Sequence, residues 1–292
     1  MFRTRLISGI ILVILAVIVV STGGALLYGV TAVISLVGMF ELYRVMGIEK
    51  KSLGLVGYLA GISYYGLLWF DGQKYVTLMA IAALMLLMTI YVFTFPHYGT
   101  EQVTVSFFGI FYLAVMLSYL YQVREMADGR YLVWLIFLSS WGCDTCAYCA
   151  GMLFGRHKLT PVLSPKKTIE GAVGGIIGAA VLGFIYASIF GHRMDEIGNP
   201  QAACAAACAI AAVISQIGDL AASAIKRNHN VKDYGHLIPG HGGVLDRFDS
   251  VIFTAPAIIS RLTADGRDTK ILSDRYTGRK RCIEYWSRFN NN

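Results

Sequence analysis

Residues 75–95 read YVTLMAIAALMLLMTIYVFTF, a run without a charged side chain or a histidine. A helix needs about 20 mostly apolar residues to cross a bilayer, so this stretch alone predicts a membrane span. Seven more stretches have the same character, at approximately 6–22, 25–43, 53–70, 103–121, 131–150, 169–190 and 201–225. A ninth apolar segment begins near Ser250 and stops after Ile259, too short to cross by itself.

The composition agrees with this map. The chain has 292 residues, of which 56% are hydrophobic and 15% are charged, and its mean hydropathy is +0.58. An average soluble domain is about 25% charged, so these charges are too few to cover a soluble surface of this size. Aromatic residues make up 12%, which excludes a disordered chain. We therefore predict an all-α, polytopic integral membrane protein with eight to nine transmembrane helices.

The basic residues predict the orientation of the spans. With a cytoplasmic N-terminus, thirteen Lys and Arg fall in inside segments and four in outside loops, as the positive-inside rule requires. The first apolar stretch follows Arg3 and Arg5 like a signal peptide, but seven later spans favour a retained helix. The net charge of +7 then reflects cytoplasmic loops and anionic lipid headgroups, not nucleic acid. A compact chain without a targeting peptide suggests a bacterial inner (plasma) membrane.

Three units follow from this pattern. Residues 1–130 contain the N-terminal membrane helices, residues 131–259 contain the C-terminal membrane helices with polar inside loops, and residues 260–292 form a polar, basic tail.

Carboxylates that lie inside apolar stretches are costly and mark function. Among them are Asp144 and Asp219, both toward the inside ends of their spans. In a helix, Ser223 and Lys226 share one face with Asp219 within about 40°. A helix–helix hydrogen bond and a snorkelling lysine explain Ser223 and Lys226 equally well, whereas the Asp219 carboxylate needs a cation.

A polar, glycine-rich loop follows the eighth span, from Asn228 to Gly243. Its glycines allow the backbone to approach a ligand closely, and its amides can bind an anion. Asp246 and Asp249 come next, and in a helix they occupy positions i and i+3. Carboxylates without cysteine or clustered histidine favour Mg²⁺. His241 is compatible with three roles, namely a general base, a ligand to phosphate or a hydrogen-bonding residue of the loop. The sequence alone does not distinguish between them.

A second inside loop is basic. We expect Pro165 to be the first residue of a helix capped by Ser164, with Lys166 and Lys167 making its N-terminus an anion site. The positive-inside rule explains the two lysines equally well.

Residues 223–249 read SAIKRNHNVKDYGHLIPGHGGVLDRFD, and this long, gapless stretch resembles the signature of the phosphatidate cytidylyltransferases, or CDP-diacylglycerol synthases. Residues 141–144 (WGCD), 164–170 (SPKKTIE) and 218–219 (GD) also resemble family positions, whereas the tail after Ser260 departs from the pattern. The resemblance implies that CTP and phosphatidate react at the cytoplasmic edge of the bilayer to give CDP-diacylglycerol and pyrophosphate. It also implies Mg²⁺, with one or two cations bound, and a homodimer.

The site residues that we predict fall into three groups. The catalytic group is Asp219, Asp246, Lys226 and Asp249. The cation ligands are Asp219, Asp246 and Asp144. The substrate-binding group is Ser223, Arg227, Lys232, Gly240, His241, Gly242, Gly243, Arg247, Lys167 and Glu170.

Two other functions remain as alternatives. A CTP-dependent lipid kinase acting on a polyprenol-type alcohol would attack the γ-phosphorus and release CDP instead of pyrophosphate. An ion-coupled transporter would use Asp144 and Asp219 as cation sites near the membrane midplane. Transporters favour repeats and broken helices in both halves, whereas the polar residues here crowd the C-terminal half.

Overall fold

The computed structural model describes residues 2–194, 197–238 and 242–263, with the backbone alone for residues 2–7 and 261–263. Within these ranges the chain forms nine helices and one β-hairpin. The helices are α1 (Phe2–Thr22), α2 (Gly24–Val45), α3 (Ser52–Trp69), α4 (Val76–Phe93), α5 (Thr100–Arg124), α6 (Gly129–Phe154), α7 (Ile169–Phe190), α8 (Pro200–Asn228) and α9 (Leu245–Thr263). Helices α5 and α6 each contain a π-helical segment, at Ile110–Val115 and Leu138–Gly142. Most of the predicted tail lies outside the described residues.

Six of the described helices are long and apolar enough to cross a membrane: α2, α4 with the turn before it, α5, α6, α7 and α8. This confirms an all-α membrane architecture. The helices α1, α3 and α9 are not among the six, so the predicted count of eight to nine spans goes beyond what length and hydropathy establish. Helix α9 begins at Leu245, ahead of the apolar segment that starts near Ser250, and therefore includes both Asp246 and Asp249.

The helical start predicted at Pro165 is wrong. Strands β1 (Lys158–Thr160) and β2 (Ser164–Thr168) pair as an antiparallel hairpin, and α7 begins only after β2. The side chain of Thr168 caps α7 by accepting a hydrogen bond from the Gly171 amide at 3.1 Å. A short two-stranded hairpin tolerates Pro165 because an edge strand has unpaired backbone positions. Lys166 and Lys167 therefore lie on a strand.

Two groups of helices make up the bundle. Helices α6, α7 and α8 pack side by side, and α9 lies against α8 and α5. Helices α2, α3 and α5 form the second group, joined at Tyr43, whose buried hydroxyl donates to the Ser106 carbonyl at 2.6 Å. Helix α1 packs against α2.

Several loops meet at one end of the bundle. Gln102 at the start of α5 donates to the Met46 carbonyl after α2 at 3.1 Å. Arg44 at the end of α2 donates to the Tyr234 carbonyl in the α8–α9 loop at 2.6 Å. These contacts bring polar loops from both halves of the chain to the same end.

Candidate active site

Two acid–base pairs lie along the C-terminal half of α8. Lys167 of β2 forms an ion pair with Asp219. Two turns later, the Lys226 ammonium lies 2.7 Å from Oδ1 of Asp246 on α9, and both residues are buried. The predicted polar face of α8 therefore exists, and it joins the hairpin on one side to α9 on the other.

Asp246 also organises the loop before α9. Its Oδ2 accepts hydrogen bonds from the backbone amides of Tyr234 at 2.8 Å and Gly243 at 3.0 Å. Gly242 has φ of +86°, a conformation that favours glycine, and its carbonyl accepts from the Ile238 amide at 2.9 Å. Both oxygens of Asp246 therefore already have partners within the protein.

Tyr234 anchors the same loop in the core. The Tyr234 hydroxyl donates to the Ala222 carbonyl of α8 at 3.0 Å, and its ring lies 5.2 Å from the Lys226 ammonium. Burial, with Tyr112 and the carboxylates of Asp246 and Asp249 nearby, raises the pKa of Tyr234. Its hydroxyl therefore stays a hydrogen-bond donor at neutral pH.

Helix α2 holds the loop from the opposite side through Glu41. This side chain is fully buried, and its two oxygens accept the amides of Val244 at 3.0 Å and Leu245 at 2.8 Å. Those amides begin α9, so a carboxylate here also stabilises the positive end of that helix. A side chain at Gly235 or Gly243 would collide with the Glu41 carboxylate. The glycines thus permit a close contact between α2 and the loop.

Three carboxylates from three helices lie close enough to repel one another. Asp144 of α6 and Asp249 of α9 both lie in the electrostatic field of Asp219 of α8. Arg247 and Lys167 partly offset this negative charge at Asp144. Asp144, Asp219 and Asp249 therefore interact electrostatically, whereas Asp246, which we predicted as a cation ligand beside Asp144 and Asp219, is bonded to Lys226 and to amides of the loop.

Two cavities meet at Asp144. The first, of about 460 Å³, runs between α1 and α2 and ends at polar residues that include Asp246, Arg247 and Asp249. The second, of about 450 Å³, is lined by Asp219 and by Lys166 and Lys167 of the hairpin. The first cavity has mostly apolar walls, whereas the second, which we call the hairpin cavity, is lined by two lysines and two carboxylates, and Asp144 belongs to both.

The other predicted site residues have varied surroundings. Arg227 is exposed and donates to the Val231 carbonyl at 3.4 Å, and Lys232 is also exposed. Ser223 is half-buried on α8. Glu170 accepts hydrogen bonds from the amides of Arg156 and His157 and therefore steadies the turn into the hairpin. The predicted Gly240 and His241 lie outside the described residues.

Sequence reasoning missed three residues near the site. Glu41 was detectable, because it is an ionisable residue inside an apolar stretch, as Asp144 and Asp219 are. In the sequence, Arg44 was noted only as one of the basic residues of the inside segments. Tyr112 has a buried hydroxyl with no partner among the described residues, and it lies in the field of Asp249 and Asp219. A tyrosine is uncharged, so its presence in an apolar span does not mark it as a functional residue in the sequence.

The described residues contain no group of three His, Cys, Asp or Glu side chains already placed to hold a metal ion. Mg²⁺ in enzymes of phosphate chemistry is usually bound by one or two carboxylates together with substrate phosphates and water. The mutually repelling carboxylates of Asp144, Asp219 and Asp249 fit that kind of shared site, because a cation would relieve their repulsion.

Comparisons with known proteins agree with the geometry. The sequence profile of the cytidylyltransferase family matches residues 3–264. A phosphatidate cytidylyltransferase of Bacillus subtilis is 31% identical over 261 residues, which is 87% of this chain and 95% of the relative. The protein of the same name from Staphylococcus saprophyticus is 30% identical over 263 residues, 88% of this chain and 97% of the relative. The matched region includes every residue of the site described above.

Proposed function

The chain belongs to the cytidylyltransferase family, and from this premise we propose that it transfers the cytidylyl group of CTP to phosphatidate, giving CDP-diacylglycerol and pyrophosphate. It is a nucleotidyltransferase of phospholipid synthesis. The observation that supports the choice of substrates is the shared boundary at Asp144, where a mostly apolar cavity meets the hairpin cavity with its two lysines and two carboxylates. One substrate of this reaction is a lipid and the other is a water-soluble polyanion.

Each cavity suits one substrate. In the hairpin cavity, Lys166 and Lys167 bind the triphosphate of CTP, and Lys167 exchanges Asp219 for a phosphate when the nucleotide enters. The cavity along α1 and α2 has apolar walls for acyl chains and Arg247 at its polar end for a lipid phosphate. The two phosphates would then meet beside Asp144, which is the juxtaposition that the transfer requires.

A phosphate oxygen of phosphatidate attacks the α-phosphorus of CTP in this reaction, and pyrophosphate leaves in line. Phosphatidate is already ionised at neutral pH, so no general base is required. The work of the protein is positioning and charge neutralisation. Lys167 and Arg247 neutralise phosphate charge, while Lys226 holds Asp246 and the loop that leads into α9.

The remaining binding residues belong to the same proposal. Ser223, Arg227, Lys232 and residues 240–243 contact the phosphates of the nucleotide. Glu170 supports the hairpin that carries Lys167.

Mg²⁺ is the cation that this site fits, held by Asp219 and Asp249 with Asp144 in support. Asp246 stays a predicted ligand, but its carboxylate must release Lys226 or the loop amides before it can bind a cation. A second cation stays a prediction as well. When bound, such an ion supplies electrostatic stabilisation of the phosphate oxygens.

The topology that we propose has a cytoplasmic N-terminus and eight to nine spans, with α1 and α3 crossing the membrane together with the six helices above. The active site then faces the cytoplasm from the inner membrane of a bacterial cell, in agreement with the basic residues at this end. The division at residues 130 and 259 and the homodimer rest on the sequence and the family resemblance. Labelling of single cysteines from either side of the membrane, and the mass of the protein in nanodiscs, test these points.

The direct test is incubation of purified protein with CTP labelled at the α-phosphorus, phosphatidate and Mg²⁺. Label extracted with the lipid and release of pyrophosphate support the proposal. Release of CDP and transfer of the γ-phosphate to a lipid alcohol would instead support the kinase.

Site variants sharpen this test. We expect Asp219→Asn and Asp249→Asn to reduce turnover by more than about a hundredfold while the protein stays folded. Asp71→Asn is the matched control, because this exposed residue lies in the α3–α4 loop and has φ of +56°, which asparagine tolerates. Activity near that of the unsubstituted protein in Asp219→Asn or Asp249→Asn would remove that residue from the metal role.

A further inference from the structure

One face of α1 forms a wall of the apolar cavity. Seven positions of α1 line it, 9, 12, 13, 15, 16, 19 and 20, and they share one side of the helix. Two of them, Val13 and Leu15, are about half exposed and lie at the edges of the cavity. The neighbouring positions 10, 11, 14, 17 and 18 are exposed on the opposite side and do not line the cavity. A membrane helix therefore has one face toward the surrounding lipid and another toward an internal cavity.

The cavity has a polar end and an apolar end. Asp144 and Arg247 lie at the polar end together with Val244, whose amide is bound by Glu41 of α2. Val20 and Leu27 lie beside the turn that joins α1 to α2, and Leu27 is about 21 Å from Glu41 along the α2 axis, so both belong to the other end.

The apolar end is closed by buried side chains. Val20, Leu27 and Leu120 line the cavity there and are almost fully buried. Arg124 at the end of α5 donates to the carbonyls of Val20 at 3.1 Å and Ser21 at 3.3 Å, which fastens the end of α1 to α5. From Gly9 to Val20 the α1 wall extends about 16 Å along the helix axis, at ~1.5 Å per residue.

The polar end contains an unpaired group. The Nε of Arg247 is buried and has no hydrogen-bond partner among the described residues. A buried guanidinium nitrogen without a partner is costly, and a phosphate group is its favoured partner. This end therefore has charge complementarity to a lipid headgroup, whereas the walls beyond it suit only hydrocarbon.

We propose that an acyl chain of phosphatidate lies along the inner face of α1, and that the closed end at Val20, Leu27 and Leu120 sets the longest chain that the enzyme uses efficiently. This inference rests on the proposed function. Ala16 is a specificity-determining residue here, because its small side chain leaves the middle of the groove open. A longer side chain at this position shortens the groove without touching the polar end.

The experiment compares Ala16→Phe with Val17→Phe, its neighbour on the lipid-facing side. The substrates are dioctanoyl and dioleoyl phosphatidate in mixed micelles, and the readout is the ratio of their kcat/KM values. We expect Ala16→Phe to lower the dioleoyl-to-dioctanoyl ratio about tenfold, which corresponds to about two buried methylene groups. Val17→Phe leaves the ratio unchanged, and the KM for CTP stays the same in both variants.

Retained turnover of dioctanoyl phosphatidate shows that Ala16→Phe is folded. Val20→Ala is the complementary variant, since it enlarges the closed end, and it should raise kcat/KM for the longest saturated phosphatidates relative to dioctanoyl phosphatidate. Three results would each overturn the inference. They are an equal loss of kcat/KM for both chain lengths in Ala16→Phe, a change of the ratio in Val17→Phe as large as in Ala16→Phe, and an unchanged chain-length preference in Val20→Ala. None of these results would affect the proposed function, which fails only if the unsubstituted protein makes no CDP-diacylglycerol.

Discussion

Glu41 offers the sharpest test of how the site is assembled, because it joins α2 to the start of α9 across about 200 positions of the chain. In Glu41→Gln the side chain keeps its shape, but an NH₂ group replaces one carboxylate oxygen. That group is a hydrogen-bond donor, and it would face a backbone N–H, which is also a donor. A hydrogen bond to a charged group contributes about 1.5–3 kcal/mol, so the loss of one should destabilise the protein by about 2–3 kcal/mol. Glu41→Ala loses both bonds and leaves a cavity, for about 3–6 kcal/mol.

Thermal unfolding in detergent, followed by tryptophan fluorescence, measures the first effect. A destabilisation of this size should lower the Tm of Glu41→Gln by roughly 5–10 °C. The same variant should lose turnover at temperatures where it is still folded, because the start of α9 positions Asp249. We expect kcat to fall at least about tenfold, while the KM for CTP changes little, since Glu41 does not line the hairpin cavity.

Glu125→Gln is the matched control, because this exposed glutamate follows α5 at the opposite end of the bundle. It should leave both Tm and kcat as they are. A Glu41→Gln protein with unchanged Tm and kcat would refute the argument that this carboxylate fastens the loop. A lowered Tm with unchanged kcat at low temperature would show that Glu41 stabilises the fold without positioning the site.

Three further outcomes follow from the same contacts. Lys226→Met and Asp246→Asn should each destabilise the protein by about 3–5 kcal/mol, and the double variant should be less damaged than the sum, as a double-mutant cycle in denaturation would show. Gly243→Ala should lower both stability and activity, because its new methyl group would lie about 2.6 Å from Glu41; wild-type behaviour would mean that the loop can shift. Lys167→Gln should raise the KM for CTP more than that for phosphatidate, and an equal rise in both would argue against separate cavities.

Much of this architecture was predictable from the residues. The apolar stretches located every one of the longer helices, because a helix surrounded by lipid needs apolar side chains over its whole length. The cost of burying a charge in that setting identified Asp144 and Asp219 as unusual. In a helix, Asp246 and Asp249 would be one turn apart, and α9 contains both.

The errors have equally specific causes. Pro165 after Ser164 is typical of a helix start, but pairing of β1 with β2 overrides that local preference and delays α7 to Ile169. Asp246 and Asp249 look equivalent in the sequence. Only the packing of α8 against α9 shows that Asp246 is bonded to Lys226 while Asp249 lies toward the other carboxylates.

The sequence by itself determined that the chain forms membrane helices and that carboxylates lie toward the same end of those helices as most of the basic loops. Hydropathy and charge are properties of single residues, so both can be read without knowing the fold. Tertiary structure alone decided which groups meet. The contact of Glu41 with the start of α9 and the two cavities that share Asp144 join segments far apart in the chain. Local preferences carry no information about such contacts, because they depend on which helices pack together and at what depth.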